Sequence, residues 1–273
     1  MKIVTLLENT TCREELLCEH GLSLYIETGT HKLLFDAGQS GCFADNAEKL
    51  GVDLAAVDLA VLSHGHYDHG GGLARFLEIN KNAPVYLHRD AFEPHFNGDS
   101  KYIGLDPRLQ SSGRLIYVES DTKIAEGITL HTCRPGPYPV KPFGLTVRQG
   151  NRYIAEDFRH EQYLVVEEAG KRICFSGCSH RGILNIMHRF RPDVLVGGFH
   201  FMKLDPDVGK HRIEENRENQ DRLEHEKLTF HKKVYEGYLE LEKKFPDRIV
   251  GIDASLGIDE IRDEIYRKLE EII

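Results

Sequence analysis

The sequence carries no excess of positive charge. Its 273 residues include 35 Lys and Arg against 44 Asp and Glu, which gives a formal net charge of −9. A nucleic acid partner is therefore not expected, because nothing offsets the repulsion between the chain and phosphate groups. Long apolar runs are also missing. No stretch approaches the roughly 20 residues that a membrane-spanning helix needs, so no membrane partner is expected. The first residues, 1–7, reach Glu8 too soon for a secretory signal and predict a strand instead.

Closely spaced cysteine pairs are absent as well. The chain has six cysteines and no C-x-x-C spacing, and at this length it does not need disulfides to hold its core together. Free thiols in a reducing compartment are the expected state, and we expect a cytoplasmic protein. The cysteines are Cys12, Cys18, Cys42, Cys133, Cys174 and Cys178.

One loop concentrates the residue types that bind metals. Residues 63–70, Ser-His-Gly-His-Tyr-Asp-His-Gly, follow the apolar run 59–62, which predicts a buried strand. They precede 71–77, which predicts the start of a helix. The loop therefore lies at a strand-to-helix corner, where side chains can converge on a ligand. The alternative is a surface loop that merely contains three histidines.

The spacing within this loop predicts how the side chains divide. Residues two apart project to the same side of an extended loop, so His64 and His66 can bind one ion together. Asp68 and His69 begin the helical turn and point elsewhere, which suits a second ion. Imidazoles with one carboxylate favour Zn²⁺, with Fe or Mn²⁺ as alternatives, over Ca²⁺ or Mg²⁺.

Other predicted strands also end in potential ligands. A hairpin over 20–38 ends at Asp36, the strand 171–176 leads to His180, and the strand 193–198 ends at His200. Helices are predicted over 43–50 and 183–190, and further strands over 84–87, 127–133 and 163–167. This alternation predicts an α/β fold whose strand ends share one rim. Residues 89–126 are predicted to be an irregular insertion, either a roof over the site or a plain surface loop, and 134–139 contain three prolines, which exclude regular structure.

The pattern H-x-H-x-D-H resembles the signature of the metallo-β-lactamase fold superfamily. Four further segments resemble its dihydropterin–aminobenzene-ribofuranosyl-phosphate synthase-like branch, namely 7–11, 19–24, 34–41 and 176–183. The resemblance covers residues 1–202. It implies a four-layer αββα sandwich of the metallo-β-lactamase type and a two-metal site.

The resemblance implies a role for each candidate residue. His64 and His66 would hold the first ion, and Asp68, His69 and His200 the second. His180 would be an additional ligand or an acid/base facing the substrate. Asp36 would orient a ligand imidazole, with a turn or N-cap aspartate as its alternative. The candidate catalytic residues are Asp68, Asp36 and His180.

Two positions depart from the superfamily pattern. Members commonly place a bridging aspartate where this chain has Cys178, which is therefore either a ligand or a buried thiol. The usual third histidine of the first ion has no clear match. His160, Glu161 and Gln162 occupy its region, and Glu161 ranks below the main candidates. The histidines predicted to be ordinary are His88, His95, His131, His188, His211, His225 and His231.

The composition changes after residue 202. Residues 203–273 contain 33 charged residues among 71, about twice the fraction in the preceding 202. They predict a long helix over 222–244, a short strand over 248–253 and a last helix over 258–271. This tail resembles the C-terminal part of thymidylate kinase, yet the chain contains no phosphate-binding G-x-x-x-x-G-K-[ST]. We expect two domains, 1–202 and a mainly helical 203–273 without kinase chemistry, whose helices could form a homo-oligomer contact.

Three functions follow from these features. The first is a hydrolase in which a hydroxide held by one or two ions attacks an ester or phosphoester of a small molecule. The second, implied by the branch name, is a metal-dependent transferase that joins a pterin methyl diphosphate to an aminobenzene riboside phosphate. The third is an inactive fused domain that acts through oligomerisation.

Overall fold

A computed structural model of the chain describes residues 1–11, 13–137, 144–199 and 267. His200 and the predicted elements of the tail lie outside these residues, apart from Arg267. The strands are β1 (Lys2–Leu7), β2 (Ser23–Glu27), β3 (Lys32–Phe35), β4 (Leu59–Val61), β5 (Val85–His88), β6 (His95–Asn97), β7 (Lys101–Tyr102), β8 (Leu115–Val118), β9 (Thr122–Ala125), β10 (Ile128–Thr132), β11 (Leu145–Gln149), β12 (Arg152–Ala155), β13 (Gln162–Glu168), β14 (Lys171–Ser176) and β15 (Val194–Gly197). The helices are α1 (Cys42–Lys49), α2 (Tyr67–Gly70), α3 (Leu73–Ile79) and α4 (Ile183–Phe190), with 3₁₀ turns at Leu54–Ala56, Arg89–Phe92 and Pro107–Ser112.

Two mixed sheets form the centre of the fold. The first has the strand order β1-β2-β3-β4-β5-β8, and the second has the order β15-β14-β13-β10-β9. The predicted hairpin is present as β2 and β3, which pair antiparallel from Leu24 opposite Phe35 to Glu27 opposite Lys32. From β3 onwards the first sheet is parallel, so the strands β3, β4 and β5 end at the same edge.

The two sheets bury one apolar layer between them. Leu24, Leu33 and Phe35 of the first sheet share a cluster with side chains of the second. Phe35 and Phe175 are both fully buried there, with ring centroids 6.0 Å apart. Burying a side chain of this size contributes about 1.5–3 kcal/mol, so this layer supplies much of the stability that holds the two sheets together.

Helices cover the outer faces of both sheets. Phe43 of α1 and Phe76 of α3 pack in a cluster with Leu34 of the first sheet. Ile186 of α4 packs with Tyr163 of the second sheet. Successive residues of a strand face opposite sides, so alternate residues of β13 pack in the inner layer and against α4. The order helix, sheet, sheet, helix confirms the expected αββα sandwich.

A third sheet, β12-β11-β6-β7, was not predicted. It is built from residues 95–102 of the insertion and from the hairpin over 145–155, and it places His95 and Glu156 beside the histidine loop. All four residues of β12 are exposed, so the segment has none of the alternation that identifies a half-buried strand.

The described residues show the state of most cysteines and the length of the helices. The five cysteines among them, Cys18, Cys42, Cys133, Cys174 and Cys178, are free thiols, as expected. No helix in the described part of the chain is long and apolar enough to cross a membrane.

Candidate metal centre

The three histidines of the loop lie close together just after the end of β4, next to the end of β3. His64, His66 and His69 are at most 3% exposed. The ring of His64 lies 4.6 Å from that of His66 and 4.3 Å from that of His69, centroid to centroid. Asp68 stands in the first turn of α2 and is also buried. The loop is thus a cluster of buried polar side chains, which a surface loop would not be.

Asp36 orients two of these imidazoles, one directly and one through Ser63. It follows β3 in the left-handed conformation (φ 59°), and its Oδ2 lies 2.6 Å from His69 Nδ1 and accepts a 2.7 Å hydrogen bond from Ser63 Oγ. A carboxylate only accepts, so His69 Nδ1 carries a proton and donates it to Asp36. Burial would lower the pKa of His69, but Cys178, Asp36 and Asp68 raise it well above its ordinary value. The single hydroxyl proton of Ser63 goes to Asp36, so Ser63 Oγ accepts from His64 Nδ1, 2.9 Å away. The Nε2 atoms of His64 and His69 therefore both face away from Asp36 and Ser63, and that of His69 contacts Cys178 Sγ at 3.0 Å.

This arrangement requires a glycine in the neighbouring strand end. A Cβ atom on Gly177 would lie 2.1 Å from Ser63 Oγ and 3.0 Å from His64 Nδ1. Gly177 follows β14, so the second sheet can approach the loop only because this side chain is missing. The same turn places Cys178 and His180 beside the histidines.

Two groups of potential ligands meet at Cys178. The first contains His64, Cys178 and His180, and the second contains Asp68, His69 and Cys178, and within each group the ligand atoms lie within 4.8 Å of one another. Cys178 Sγ is 3.0 Å from His69 Nε2. Burial raises the pKa of the Cys178 thiol, so a cation would be needed to hold it as a thiolate at neutral pH.

The donor atoms fit a transition metal. His64 Nε2 is buried and has no hydrogen-bond partner among the described residues. Burial and the charges of the neighbouring imidazoles lower the pKa of His64 well below its ordinary value, which keeps the ring in the neutral form that binds metals. Nitrogen and sulfur donors with one carboxylate suit Zn²⁺ or Fe rather than Ca²⁺ or Mg²⁺.

A second set of buried side chains lies against His66. Glu156 Oε1 is 2.6 Å from His160 Nε2, 2.8 Å from His95 Nδ1 and 3.3 Å from His66 Nε2. All four residues are at most 6% exposed, and their ligand atoms also lie within 4.8 Å of one another. Burial would raise the pKa of Glu156, but the neighbouring imidazoles of His160, His66 and His95 lower it far below its ordinary value. The carboxylate is therefore ionised.

Sequence reasoning did not select these neighbours of His66. The sequence predicts His95 as an ordinary histidine, gives no motif at Glu156, and places His160 only in the region of the missing third ligand. The one available signal was the four-residue spacing of Glu156 and His160, which is too common to indicate a site by itself.

Glu161 contacts the backbone of His180 but is not itself one of the grouped ligands. Glu161 Oε1 accepts a 2.5 Å hydrogen bond from the Tyr163 hydroxyl, and the backbone N–H groups of His180 and Arg181 also stabilise its carboxylate. Burial nevertheless raises the pKa of Glu161 to about 7. It belongs to none of the ligand groups found in the described residues. The His180 ring stacks on Phe158 at 4.4 Å.

Gln162 and two of the histidines predicted to be ordinary contact only residues near them in the fold. Gln162 anchors the end of β4, because its Nε2 donates to Leu62 O and its backbone N–H donates to Ser63 O. His88 Nδ1 accepts from the Asp90 backbone, and His131 Nδ1 lies 3.1 Å from Asp121 Oδ2.

Known proteins resemble this chain in two separate parts. The thymidylate kinase family model matches residues 152–265. The thymidylate kinase of Lactobacillus helveticus is 42% identical over 72 residues, which are 26% of this chain and 34% of that kinase. The chain thus spans about a third of the length of the kinases it matches. The expected resemblance of the tail is confirmed, while the domain boundary at 202 stays a prediction.

The N-terminal part has relatives of greater coverage. The uncharacterized protein MJ0448 of Methanocaldococcus jannaschii is 28% identical over 73% of this chain and 80% of its own length. The 7,8-dihydropterin-6-methyl-4-(beta-D-ribofuranosyl)-aminobenzene-5'-phosphate synthase of the same organism is 27% identical over 75% of this chain and 79% of its own.

A solved structure and a family model agree with these relatives. The crystal structure of Tm1679, described as a metal-dependent hydrolase of the beta-lactamase superfamily, superposes with a TM-score of 0.62 and 30% identity over 78% of this chain and 81% of that one. The metallo-beta-lactamase superfamily model matches residues 17–201. With the αββα fold and the H-x-H-x-D-H loop, these matches establish that the chain belongs to the metallo-beta-lactamase superfamily.

Proposed function

We propose that the protein is a metal-dependent hydrolase that cleaves an ester or phosphoester of a small molecule, with Zn²⁺ as the expected metal. One observation carries the proposal: Asp36, directly and through Ser63, orients His64 and His69 so that the Nε2 atoms of both lie on the side of Cys178.

The ligand groups assign a role to each residue. His64, His180 and Cys178 would hold one ion, and Asp68, His69 and Cys178 the other, with Cys178 shared between them. His66, which the sequence predicts as a partner of His64 at the first ion, falls instead in the group with His95, Glu156 and His160. When bound, the ions would polarise the substrate and lower the pKa of a water molecule that attacks it. His200 stays a predicted ligand, because it lies outside the described residues.

The protein's own residues would prepare this chemistry. Asp36 contacts His69 at Nδ1 and so turns Nε2 of that ring to the ligand side, and through Ser63 it does the same for His64. Phe158, stacked on His180, excludes water from one face of that ring. Asp68 Oδ2 lies 3.3 Å from Nε2 of the half-exposed His20, which fixes the carboxylate at this edge of the site.

Metal analysis and a substrate panel test the proposal. Purified protein should contain at least one equivalent of a transition metal and hydrolyse members of an ester and phosphodiester panel. His64→Ala and His69→Ala should each abolish turnover, whereas His31→Ala in the β2–β3 turn, next to Asp58, should not. Full turnover in both loop variants, or folded protein that binds no metal, would refute it.

A transferase is the second candidate, because one relative is named as a synthase. The same ligands would then neutralise the diphosphate that leaves the pterin. Diphosphate released from a pterin methyl diphosphate, together with an aminobenzene riboside phosphate acceptor, would favour this reaction over hydrolysis. No release above the background of His64→Ala would exclude it.

A further inference from the structure

We propose that Glu156 is a positioning residue that sets the tautomer of His66, with the proton on Nε2, and that holds the backbone of the histidine loop through His160. The residues Glu156, His66, His95 and His160, here called the Glu156 cluster, would then support the histidine loop instead of binding an ion of their own. The effect on metal affinity depends on the proposed function. The tautomers do not, because they exist in the metal-free protein.

The first step concerns His160. The backbone N–H of Gly65 donates to His160 Nδ1 at 2.7 Å, so Nδ1 has a lone pair and carries no proton. A neutral imidazole has one N–H, which must then be on Nε2, 2.6 Å from Glu156 Oε1. An Nε2 that carries a proton cannot bind a cation. An ion in the Glu156 cluster would therefore have to do without His160 or break the bond to Gly65.

The second step concerns His66. Its Nε2 lies 3.3 Å from Oε1 and 3.4 Å from Oε2 of Glu156, between the two oxygens. The ionised carboxylate is only an acceptor, so Nε2 carries the proton and Nδ1 keeps the lone pair. His69 shows the opposite arrangement, with Asp36 at Nδ1 and Cys178 Sγ at Nε2. The two carboxylates thus contact different ring nitrogens of two histidines of one loop.

The third step is the cost of leaving the Glu156 cluster incomplete. Glu156 is 6% exposed, so its charge is stable only while imidazole N–H groups point at it. His95 of the third sheet lies close to the same carboxylate, with Nδ1 2.8 Å from Oε1 but without hydrogen-bond geometry, and its ring stacks on His160 at 4.1 Å. Gly65 lies between His64 and His66, so the link from Glu156 through His160 holds the loop backbone as well as the His66 ring.

The decisive measurement is the tautomeric state in metal-free protein. Long-range ¹H–¹⁵N NMR spectra of the full chain labelled with ¹⁵N-histidine should show both His66 and His160 protonated at Nε2 and His69 at Nδ1. Assignment comes from single His→Gln variants. Finding His66 or His160 protonated at Nδ1 would overturn the proposal, and this result does not depend on whether the protein is a hydrolase.

Metal affinity tests the consequence. Glu156→Ala should raise the dissociation constant for Zn²⁺, measured by competition with a chromophoric chelator, by about 10- to 100-fold, as removal of such supporting groups does at other metal sites. Glu156→Gln keeps one acceptor oxygen, so its dissociation constant for Zn²⁺ should lie between those of wild type and Glu156→Ala. Glu93→Gln changes a partly buried carboxyl outside the Glu156 cluster and should have no effect.

Two outcomes separate this proposal from its competitors. Wild-type Zn²⁺ affinity in folded Glu156→Ala, or a Co²⁺ or Zn²⁺ anomalous peak enclosed by the Glu156 cluster, would overturn it. If Glu156→Ala does not fold, the Zn²⁺ affinity of Glu156→Gln and the ¹⁵N-histidine spectra of wild-type protein test the proposal instead. Wild-type protein that shows the predicted tautomers but binds no metal would refute the proposed function and leave the tautomer assignment intact.

Discussion

Asp36 and Glu156 are both buried carboxylates that contact histidines of the same loop, but different parts of the fold hold them. Asp36 follows a fully buried segment of β3, and its backbone N–H donates to Val61 O of the adjacent strand. Glu156 follows β12, an exposed strand of a peripheral hairpin, and its backbone N–H donates to Leu145 O. The centre of the fold therefore fixes one side of the site, while the other side depends on an appended sheet.

The largest effect is expected for Asp36→Ala. Ser63 N–H, Ser63 O–H and His69 Nδ1–H would each lose their acceptor. A buried unsatisfied donor costs about 1–3 kcal/mol, so the free energy of unfolding in urea should fall by about 3–5 kcal/mol in metal-free protein. Zn²⁺ affinity should fall by about 100-fold, because two ligand histidines lose their orientation.

Two further variants make this comparison specific. Asp36→Asn keeps an acceptor oxygen and tolerates the positive φ. Its free energy of unfolding and its Zn²⁺ affinity should therefore lie between those of Asp36→Ala and wild type. Asp58→Ala removes an exposed aspartate beside Lys32, at the opposite end of β3, and should change neither quantity appreciably. Equal losses in Asp36→Ala and Glu156→Ala would remove the proposed difference between the two sides.

A smaller effect is expected for Gly177→Ala. The new methyl group would overlap Ser63 Oγ and would separate Ser63 from His64 without touching Asp36. Overpacking of this kind costs about 1–3 kcal/mol, and His64 should lose its fixed tautomer while His69 retains it. Thermal unfolding and the ¹⁵N-histidine spectrum measure both effects.

Gly29→Ala is the matched control, because a Cβ atom there meets only Glu168 Oε1 at an ordinary 3.6 Å. A Gly177→Ala protein with wild-type stability and an unchanged His64 signal would mean that the second sheet does not support the histidine loop as described.

Local stability should also differ between the two sides. In native-state hydrogen exchange, backbone amides of β11 and β12 should exchange through local opening, because these strands are largely exposed. Amides of β3 and β4 should exchange only at the free energy of global unfolding, because nearly every residue there is buried. Equal protection of the two pairs of strands would contradict this difference.

The same difference explains what the sequence could predict. The histidine loop and Asp36 follow core strands whose apolar runs are long enough to identify, so their convergence followed from strand order. Glu156 and His66 are 90 positions apart and meet through a sheet whose strands span two to five residues. Neither a motif nor an alternating pattern marks such a segment. The tautomers depend on distances between non-local donors and acceptors, which no single sequence provides.

The smallest expected effect concerns Asp121, a carboxylate that contacts histidine and arginine outside the candidate metal centre. Burial would raise the pKa of Asp121, but His131 and Arg189 lower it below its ordinary value. A lowered pKa in the folded state stabilises the protein above the unfolded value of about 3.9, and that stabilisation is lost as the pH falls through the folded pKa. Asp121→Asn should therefore cost at most about 1 kcal/mol at pH 7 and weaken the decline of unfolding free energy below pH 4.

Chemical unfolding at pH 7, 4 and 3 measures this effect, with the exposed Asp99→Asn as its control. Because Asp121 lies outside the ligand groups, its effect should be the same with and without Zn²⁺, whereas the effects of Asp36→Ala and Glu156→Ala should depend on the metal. A metal-dependent effect of Asp121→Asn would show that coupling to the site extends through α4, which carries Arg189, and that the two carboxylates at the loop are not its only supports.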